Sequence, residues 1–422
     1  MKNYLALFGL ILVVSSPVLQ AEVSDEEVQA LREQIRQLSQ RLDQLENSRQ
    51  TVQAAPAPAS STAPDERVLD EKIDQAIATR VDEKMTAVAW TERVRWSGDF
   101  RYRYENFDAS IDRNRNRIRS RFLLQADVAD SLQIGFGLAS GNDDPVSSNQ
   151  TLGGGGTSKQ INLDLAYVQW SGWSNALLVG GKFTNQLYRA GESGLLWDGD
   201  WRPEGASLQY NNGQFFAVGL GTWLESDSNK QQKEFSYGFQ AGVKLALGER
   251  VSLTAGAGYY RFDTAGKRAF FSNGDFASNS FDAASQTYLF DYQEVEAFAE
   301  LAFDAFGRPG SVFGDYVENQ NADDNNKGYT LGIKYGKAKS RGTWDLSYAY
   351  RKLEADAVLG LLADSDFGDG GTDAKGSIFG ATYAFHDNWN FQATYFLNKI
   401  DLASGNPQDF DRVQLDLNFK FK

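Results

Sequence analysis

Two periodicities divide the chain. From residue 91 to residue 422 apolar side chains recur at every second position, whereas in 22–50 and again in 67–90 they recur at every third or fourth. The clearest alternating rows are Val251, Leu253, Ala255, Ala257 and Tyr259; Phe235, Tyr237, Phe239, Ala241 and Val243; Trp344, Leu346, Tyr348 and Tyr350; Trp389, Phe391, Ala393, Tyr395 and Leu397; and Val413, Leu415, Leu417, Phe419 and Phe421. Between them stand Ser, Thr, Gly, Gln, Asn, Asp, Lys and Arg, so each run has one apolar and one hydrated face. Runs of about ten residues match a tilted strand crossing a bilayer, and about sixteen of them can be placed.

The connections alternate too. Short ones fall at Asp130-Ser131, 173–175, 211–213, 248–250 and 386–388, and long ones at 140–158, 184–205, 263–286 and 354–375. This predicts an all-β transmembrane barrel of antiparallel strands, with short periplasmic turns and long external loops. A closed barrel is the β arrangement that satisfies every backbone group in lipid. Pro145, Pro203, Pro309 and Pro407 all fall in predicted loops or turns, where no ladder hydrogen bond is lost. An even strand count places both ends of the barrel on the periplasmic side, and about sixteen strands leave an aqueous channel.

The region before the barrel reads as four pieces. Residues 1–21 have the basic start, short apolar run and small-residue end of a signal peptide. In 22–50, Val28, Leu31, Ile35, Leu38, Leu42 and Leu45 alternate by threes and fours, forming the a/d core of a coiled coil. Glu27 with Arg32, and Arg41 with Glu46, fall at flanking positions of opposite sign. Such a seam implies self-association; the alternative is an amphipathic helix packed on the chain's own core. Residues 51–66 form a Pro/Ala/Ser linker, and 67–90 a second helical segment with Leu69, Ile73, Ile77, Val81, Met85 and Val88 on one face.

The net charge of −14 argues against nucleic acid as a partner, and the absence of Cys excludes disulfides and thiol chemistry. The single histidine, His386, falls in a predicted turn, and Gly153-Gly154-Gly155-Gly156 lacks the Lys-Ser/Thr of a phosphate loop. No enzyme, cofactor or resident metal is expected. Asp364, Asp366, Asp369 and Asp373 are spaced loosely like calcium ligands but without a closing Glu. A divalent ion there would bridge lipopolysaccharide phosphates.

Charge placement carries the candidate chemistry. In the stretch VRWSGDFRYRYE, residues 94–105, Trp96, Phe100, Tyr102 and Tyr104 form the lipid row, so Arg93, Arg95, Arg101 and Arg103 point into the lumen. On the next run Ile118, Phe122, Leu124 and Val128 face lipid, and Arg117, Arg119 and Arg121 face inward. Like charges across a strand pair repel. Either acids lie opposite, or mobile anions pass. Glu192, Asp198, Asp200 and Glu204 in the loop 187–205 supply one acidic partner for a constriction, and Glu294, Glu296 and Glu300 on the tenth strand a second acidic wall. The bland alternative is that these charges only keep a water-filled lumen hydrated.

The stretch Trp96-Ser97-Gly98-Asp99-Phe100-Arg101-Tyr102-Arg103, the segment Val179-Gly180-Gly181-Lys182-Phe183 and the segment Phe313-Gly314-Asp315-Tyr316-Val317-Glu318-Asn319 resemble the putative porin family of Gram-negative bacteria, as does the whole layout. The resemblance implies a passive outer-membrane channel, a homotrimer, with lumen arginines and loop acids at the constriction. Outer-membrane lipid, lipopolysaccharide and small hydrophilic solutes or ions are its expected partners. Alternatives are an anion- or phosphate-preferring channel and, in another class, a structural tether or adhesin reaching into the periplasm through the coiled coil.

Overall fold

The computed structural model describes residues 92–109, 112–230, 232–271 and 274–422. The expected signal peptide, coiled coil, linker and second helical segment lie outside the described residues.

Sixteen antiparallel strands close into one barrel: β1 (Val94–Asp108), β2 (Arg113–Ala129), β3 (Leu132–Ser140), β4 (Ile161–Trp170), β5 (Ala176–Lys182), β6 (Glu204–Asn211), β7 (Phe215–Glu225), β8 (Glu234–Ala246), β9 (Val251–Phe262), β10 (Tyr292–Ala305), β11 (Arg308–Asn319), β12 (Lys327–Gly336), β13 (Trp344–Leu353), β14 (Ala374–His386), β15 (Trp389–Ile400) and β16 (Gln408–Phe421). Each pairs with its neighbours in sequence. Closure comes from β1 against β16, in register from Gly98 opposite Phe421 to Asp108 opposite Asp411. With no free edge, every strand's ladder is paired on both sides. A two-residue strand, Gln150–Thr151, adds to β2, and a small hairpin pairs Phe281–Asp282 with Thr287–Tyr288.

The alternation seen in the sequence maps onto the two faces. Trp96, Phe100 and Tyr102 of β1 are exposed on the outer face while Arg101, Arg103 and Glu105 are buried on the inner one. The same outward row recurs as Phe235, Tyr237 and Phe239 on β8 and as Leu417, Phe419 and Phe421 on β16. These side chains face lipid in a barrel of this kind.

One rim carries seven connections of modest length, from 130–131 to 387–388. The opposite rim carries all four long loops, 141–160, 183–203, 263–291 and 354–373. The long loops contain a core of their own. Phe183, Leu187, Leu195, Leu196, Trp197 and Trp201 pack with Phe276, Tyr288 and the run Ala357–Ala363 on inner-face side chains that include Val179, Val218, Tyr260, Tyr292 and Val317. Trp197 and Trp201 stack at 4.8 Å, and Trp197 meets Tyr260 edge-on at the same distance. Each such aromatic removes enough apolar area from water to contribute about 1.5–3 kcal/mol. The long loops are therefore held by packing, not merely tethered at their ends. Gly191 permits the closest approach: its φ is +58°, and a Cβ there would lie 2.3 Å from the Phe313 ring on β11.

Candidate functional site: the charged inner face

The site begins with the register of β1 on β2. Arg101 stands opposite Arg119, Arg103 opposite Arg117, and Asp99 opposite Arg121. Because side chains alternate, all of these project from one face of the pair. Unmatched, the row would be strongly repulsive. The structure supplies acids from three directions and sorts the arginines into two clusters.

In the first cluster, Asp99 accepts from Arg119 at 3.1 Å and from Arg121 at 2.8 Å. Asp200 of loop 183–203 accepts from Arg121 at 3.0 Å and lies 3.7 Å from Arg119 and 4.0 Å from Arg202. Arg202 reaches Asp164 on β4 at 3.3 Å. Burial alone would raise the Asp200 carboxyl, but Arg119, Arg121 and Arg202 outweigh it and hold it down at about 2. Two residues away the balance reverses. Burial, with Asp364 and Asp200 nearby, pushes Asp198 up to about 8. Its Oδ2 accepts from the Ser365 backbone N–H at 2.9 Å, and its own N–H donates to the Leu362 carbonyl at 2.8 Å, joining loop 183–203 to loop 354–373.

The second cluster centres on Glu105, which is fully buried. Arg412 of β16 donates to it at 2.5 Å, Arg103 at 3.5 Å, and Arg115 makes a short hydrogen bond. Arg117 lies 3.8 Å away. Arg103 also forks onto Asp416 at 2.7 and 2.8 Å. Asp366 of loop 354–373 accepts from Arg103 at 2.9 Å and from Arg412 at 2.7 Å. Burial opposes ionisation of Asp366, yet Arg412, Arg103 and Arg101 hold it well below the usual carboxylate range.

A third set ties strands β12 and β13 to the loops. Lys334 meets Glu192 at 2.6 Å, and Arg351 meets Asp364 at 2.9 Å while lying over the Phe367 ring.

The predicted residues distribute unevenly. Arg101, Arg103, Arg117, Arg119 and Arg121 share the inner face. Arg95 lies at the short-turn rim against Asp127 at 2.9 Å, and Arg93 is an exposed turn residue before β1, outside the wall. Glu192, Asp198 and Asp200 are in loop 183–203. Glu204 is not: it opens β6 and pairs with Lys182 at 2.6 Å on an exposed surface, because the loop ends one residue earlier at Pro203. Glu294, Glu296 and Glu300 do project inward from β10, but not as an open acidic wall. Glu294 accepts from the Leu359 N–H at 2.8 Å, Glu296 from Tyr260 at 2.6 Å and Gln240 at 3.0 Å, and Glu300 from Tyr188 at 2.6 Å and the Gly191 N–H at 2.9 Å.

The sequence reading did not single out Glu105, Asp99, Arg412, Asp416, Arg351 or Lys334. Arg412 and Asp416 were within reach, since they occupy the polar positions of the Val413–Phe421 row. Asp364 and Asp366, considered above as ion ligands, instead bind guanidinium groups.

The family model described as a putative porin matches residues 106–289 and 273–421. No curated protein sequence matches the chain. Among solved structures, the high-pH structure of OprB from Pseudomonas putida aligns with a TM-score of 0.53 at 12% identity, covering 80% of this chain and 96% of that one. Salmonella typhi OmpF in complex with daunomycin aligns at 0.47 and 14% identity, over 78% and 97% of the two chains. The loop L8 deletion mutant of Vibrio cholerae OmpT aligns at 0.47 and 13%, over 78% and 99%. The OprB match carries the likeness of fold.

Proposed function

Because the chain belongs to the putative porin family, an outer-membrane porin barrel, we propose that it is a general-diffusion channel, letting small hydrophilic solutes and ions cross passively along an aqueous lumen narrowed by inward-folded loops. The observation that carries this reading is the pairing of strand cations with loop acids around one passage. Lys334, Arg351 and Arg103 come from β12, β13 and β1, while Glu192, Asp364 and Asp366 come from loops 183–203 and 354–373. All six line a cavity of about 280 Å³, together with Gln392, Thr394 and Gln414. Through Glu192 it adjoins a cavity of about 650 Å³ that reaches Asn211, Gly213 and Lys244 near the short-turn rim. Fixed charges of both signs keep such a passage hydrated and orient polar solutes, and they slow apolar ones. Because nearly every cation has an acid beside it, selectivity between small ions is weak. No chemistry is required of the protein, and no cofactor enters.

The constriction in this reading is built by two loops, 183–203 and 354–373, clipped together at Asp198 and Ser365. The assembly is a homotrimer in the outer membrane, with both barrel ends and the coiled coil 22–50 in the periplasm, and lipid and lipopolysaccharide around the apolar band. The coiled coil serves that assembly; a tether to the cell envelope is the reading it competes with.

Liposome swelling with a series of neutral sugars tests the channel. Rates that fall steeply with solute size, and rise when residues 360–369 are replaced by a short Gly/Ser link, support it. Folded protein that admits no solute contradicts it. Removing residues 22–90 separates assembly from tethering: loss of heat-resistant oligomers is expected, and unchanged oligomers point to the tether.

A further inference from the structure

The two arginine clusters differ in charge balance. Around Asp99, Asp164 and Asp200, three carboxylates meet three guanidinium groups, Arg119, Arg121 and Arg202. Around Glu105, five guanidinium groups, Arg101, Arg103, Arg115, Arg117 and Arg412, meet three carboxylates, Glu105, Asp366 and Asp416, leaving two positive charges in excess. The excess is localised. Arg103, Arg115 and Arg412 each make a hydrogen bond to a carboxylate. Among the described residues Arg101 and Arg117 make none: their closest carboxylate contacts are 4.0 Å to Asp416 and 3.8 Å to Glu105.

Both groups are nevertheless withdrawn from water. Arg101 is 9% exposed, and the Arg117 side chain 13%. The Nε of each, like those of Arg119 and Arg412, is buried with no hydrogen-bond partner among the described residues. Arg101 has one strong contact, to the Asn149 Oδ1 at 2.5 Å, and Asn149 donates on to Ser147 at 3.2 Å. Arg101 and Arg117 occupy diagonal positions on the inner face, since Arg101 faces Arg119 and Arg103 faces Arg117 across β1 and β2. Asp144 on loop 141–160 lies near Arg117, and Asp369 on loop 354–373 near Arg412 and Arg115, each beyond ion-pair distance. A desolvated cation whose nearest carboxylate is distant and shared with other guanidinium groups is under-compensated, which is unfavourable.

We propose that Arg101 and Arg117 form an oxyanion-binding subsite on the inner face, taking inorganic phosphate or the carboxylate of a passing solute. Planar guanidiniums with free N–H groups suit two-pronged recognition of oxygen anions, which chloride cannot reproduce. The subsite rests on the aqueous lumen proposed above for its access, and it deepens that reading by naming a solute class that lingers there.

The test uses the full mature chain, folded in detergent and then reconstituted. Inorganic phosphate is titrated against thermal unfolding in detergent, and separately against chloride current in planar bilayers. Saturable stabilisation and saturable reduction of current, with the same half-point, are expected. R101Q or R117Q should raise that half-point about tenfold or more, the worth of one charge-assisted hydrogen bond. R121Q, in the balanced cluster, should leave it within about twofold. R117K, which keeps the charge but loses the fork, covers the case in which a neutral variant fails to fold; it should weaken phosphate and leave chloride current unchanged. The proposal is overturned if phosphate has no saturable effect on folded protein, or if R121Q weakens it as much as R117Q. Phosphate stabilisation without any current would sink the channel and keep the subsite; current without phosphate saturation would do the reverse.

Discussion

The cluster around Asp200 and the cluster around Glu105 are built from the same parts. Each sets arginines of the β1–β2 wall against an acid of the wall itself, Asp99 or Glu105, and an acid carried in by a long loop, Asp200 or Asp366. They differ in stoichiometry. The Asp200 cluster is neutral, with three carboxylates against three guanidinium groups. Glu105 serves four arginines within 4.0 Å, and Arg101 is left to an amide. The comparison teaches that a row of arginines on a pore wall has no single meaning: the same ladder contains a charge-balanced brace and a cluster with guanidinium groups in excess.

Five substitutions would break or sharpen that contrast. The largest effect is expected for E105Q. It removes the one carboxylate on which the second cluster converges, and leaving buried guanidiniums uncompensated costs about 3–5 kcal/mol. Urea unfolding in detergent measures it; a loss under about 1 kcal/mol would mean that the cluster is solvated and the charge tally irrelevant. R121Q should cost about 1–3 kcal/mol, because it strips two hydrogen bonds from Asp99 and Asp200. R117Q should change unfolding free energy by less than about 1 kcal/mol and towards greater stability, since it relieves repulsion without breaking a hydrogen bond. R101Q, which also loses the bond to Asn149, should cost less than R121Q. Equal losses in all three arginine variants would erase the distinction. At the bottom of the scale, E204Q should change stability by less than about 0.5 kcal/mol, as its exposed pair with Lys182 is screened.

The pH response separates the two acids of loop 183–203. Asp200 sits below its ordinary value, so its stabilisation is complete above about pH 4 and is lost as pH falls through about 2. Asp198 sits above its ordinary value at about 8, so its contribution is complete below about pH 4 and is lost as pH rises towards and past 8, where a new charge meets Asp364 and Asp200. Unfolding midpoints of the native chain and D198N should therefore coincide near pH 4 and diverge progressively between about pH 4 and pH 8, with D198N the more stable. A gap that widens instead on acidification would contradict the assignment.

The barrel was legible because its signal is local. A period of two with one apolar face fixes which side chains look outward, and the outward rows of β1, β8 and β16 are the ones the sequence shows. Arg101, Arg103 and Arg119 could be assigned to the inner face for the same reason. Partners were not legible, because they are set by loop paths: Asp366 lies 263 residues from Arg103, and Asp416 lies 313. The acids of β10 look like a wall when read in strand order. Loops 183–203 and 354–373 cover them and use Glu294 and Glu300 as anchors for backbone N–H groups. Glu204 opens a strand because the loop ends at 203, two residues before the expected boundary, enough to move it from a constriction to an exposed ladder pair. Asp364 and Asp366 have spacing that suits a cation, and only the fold shows that the cations are arginines.

The most direct test of the central claim is the reversal potential of single channels in a tenfold potassium chloride gradient, measured for the native chain and for R101Q with R117Q combined. The account predicts step-like, ohmic currents with a weak anion preference that disappears in the double variant. A strong cation preference unchanged by the double variant, or the absence of any current from correctly folded protein, would contradict it.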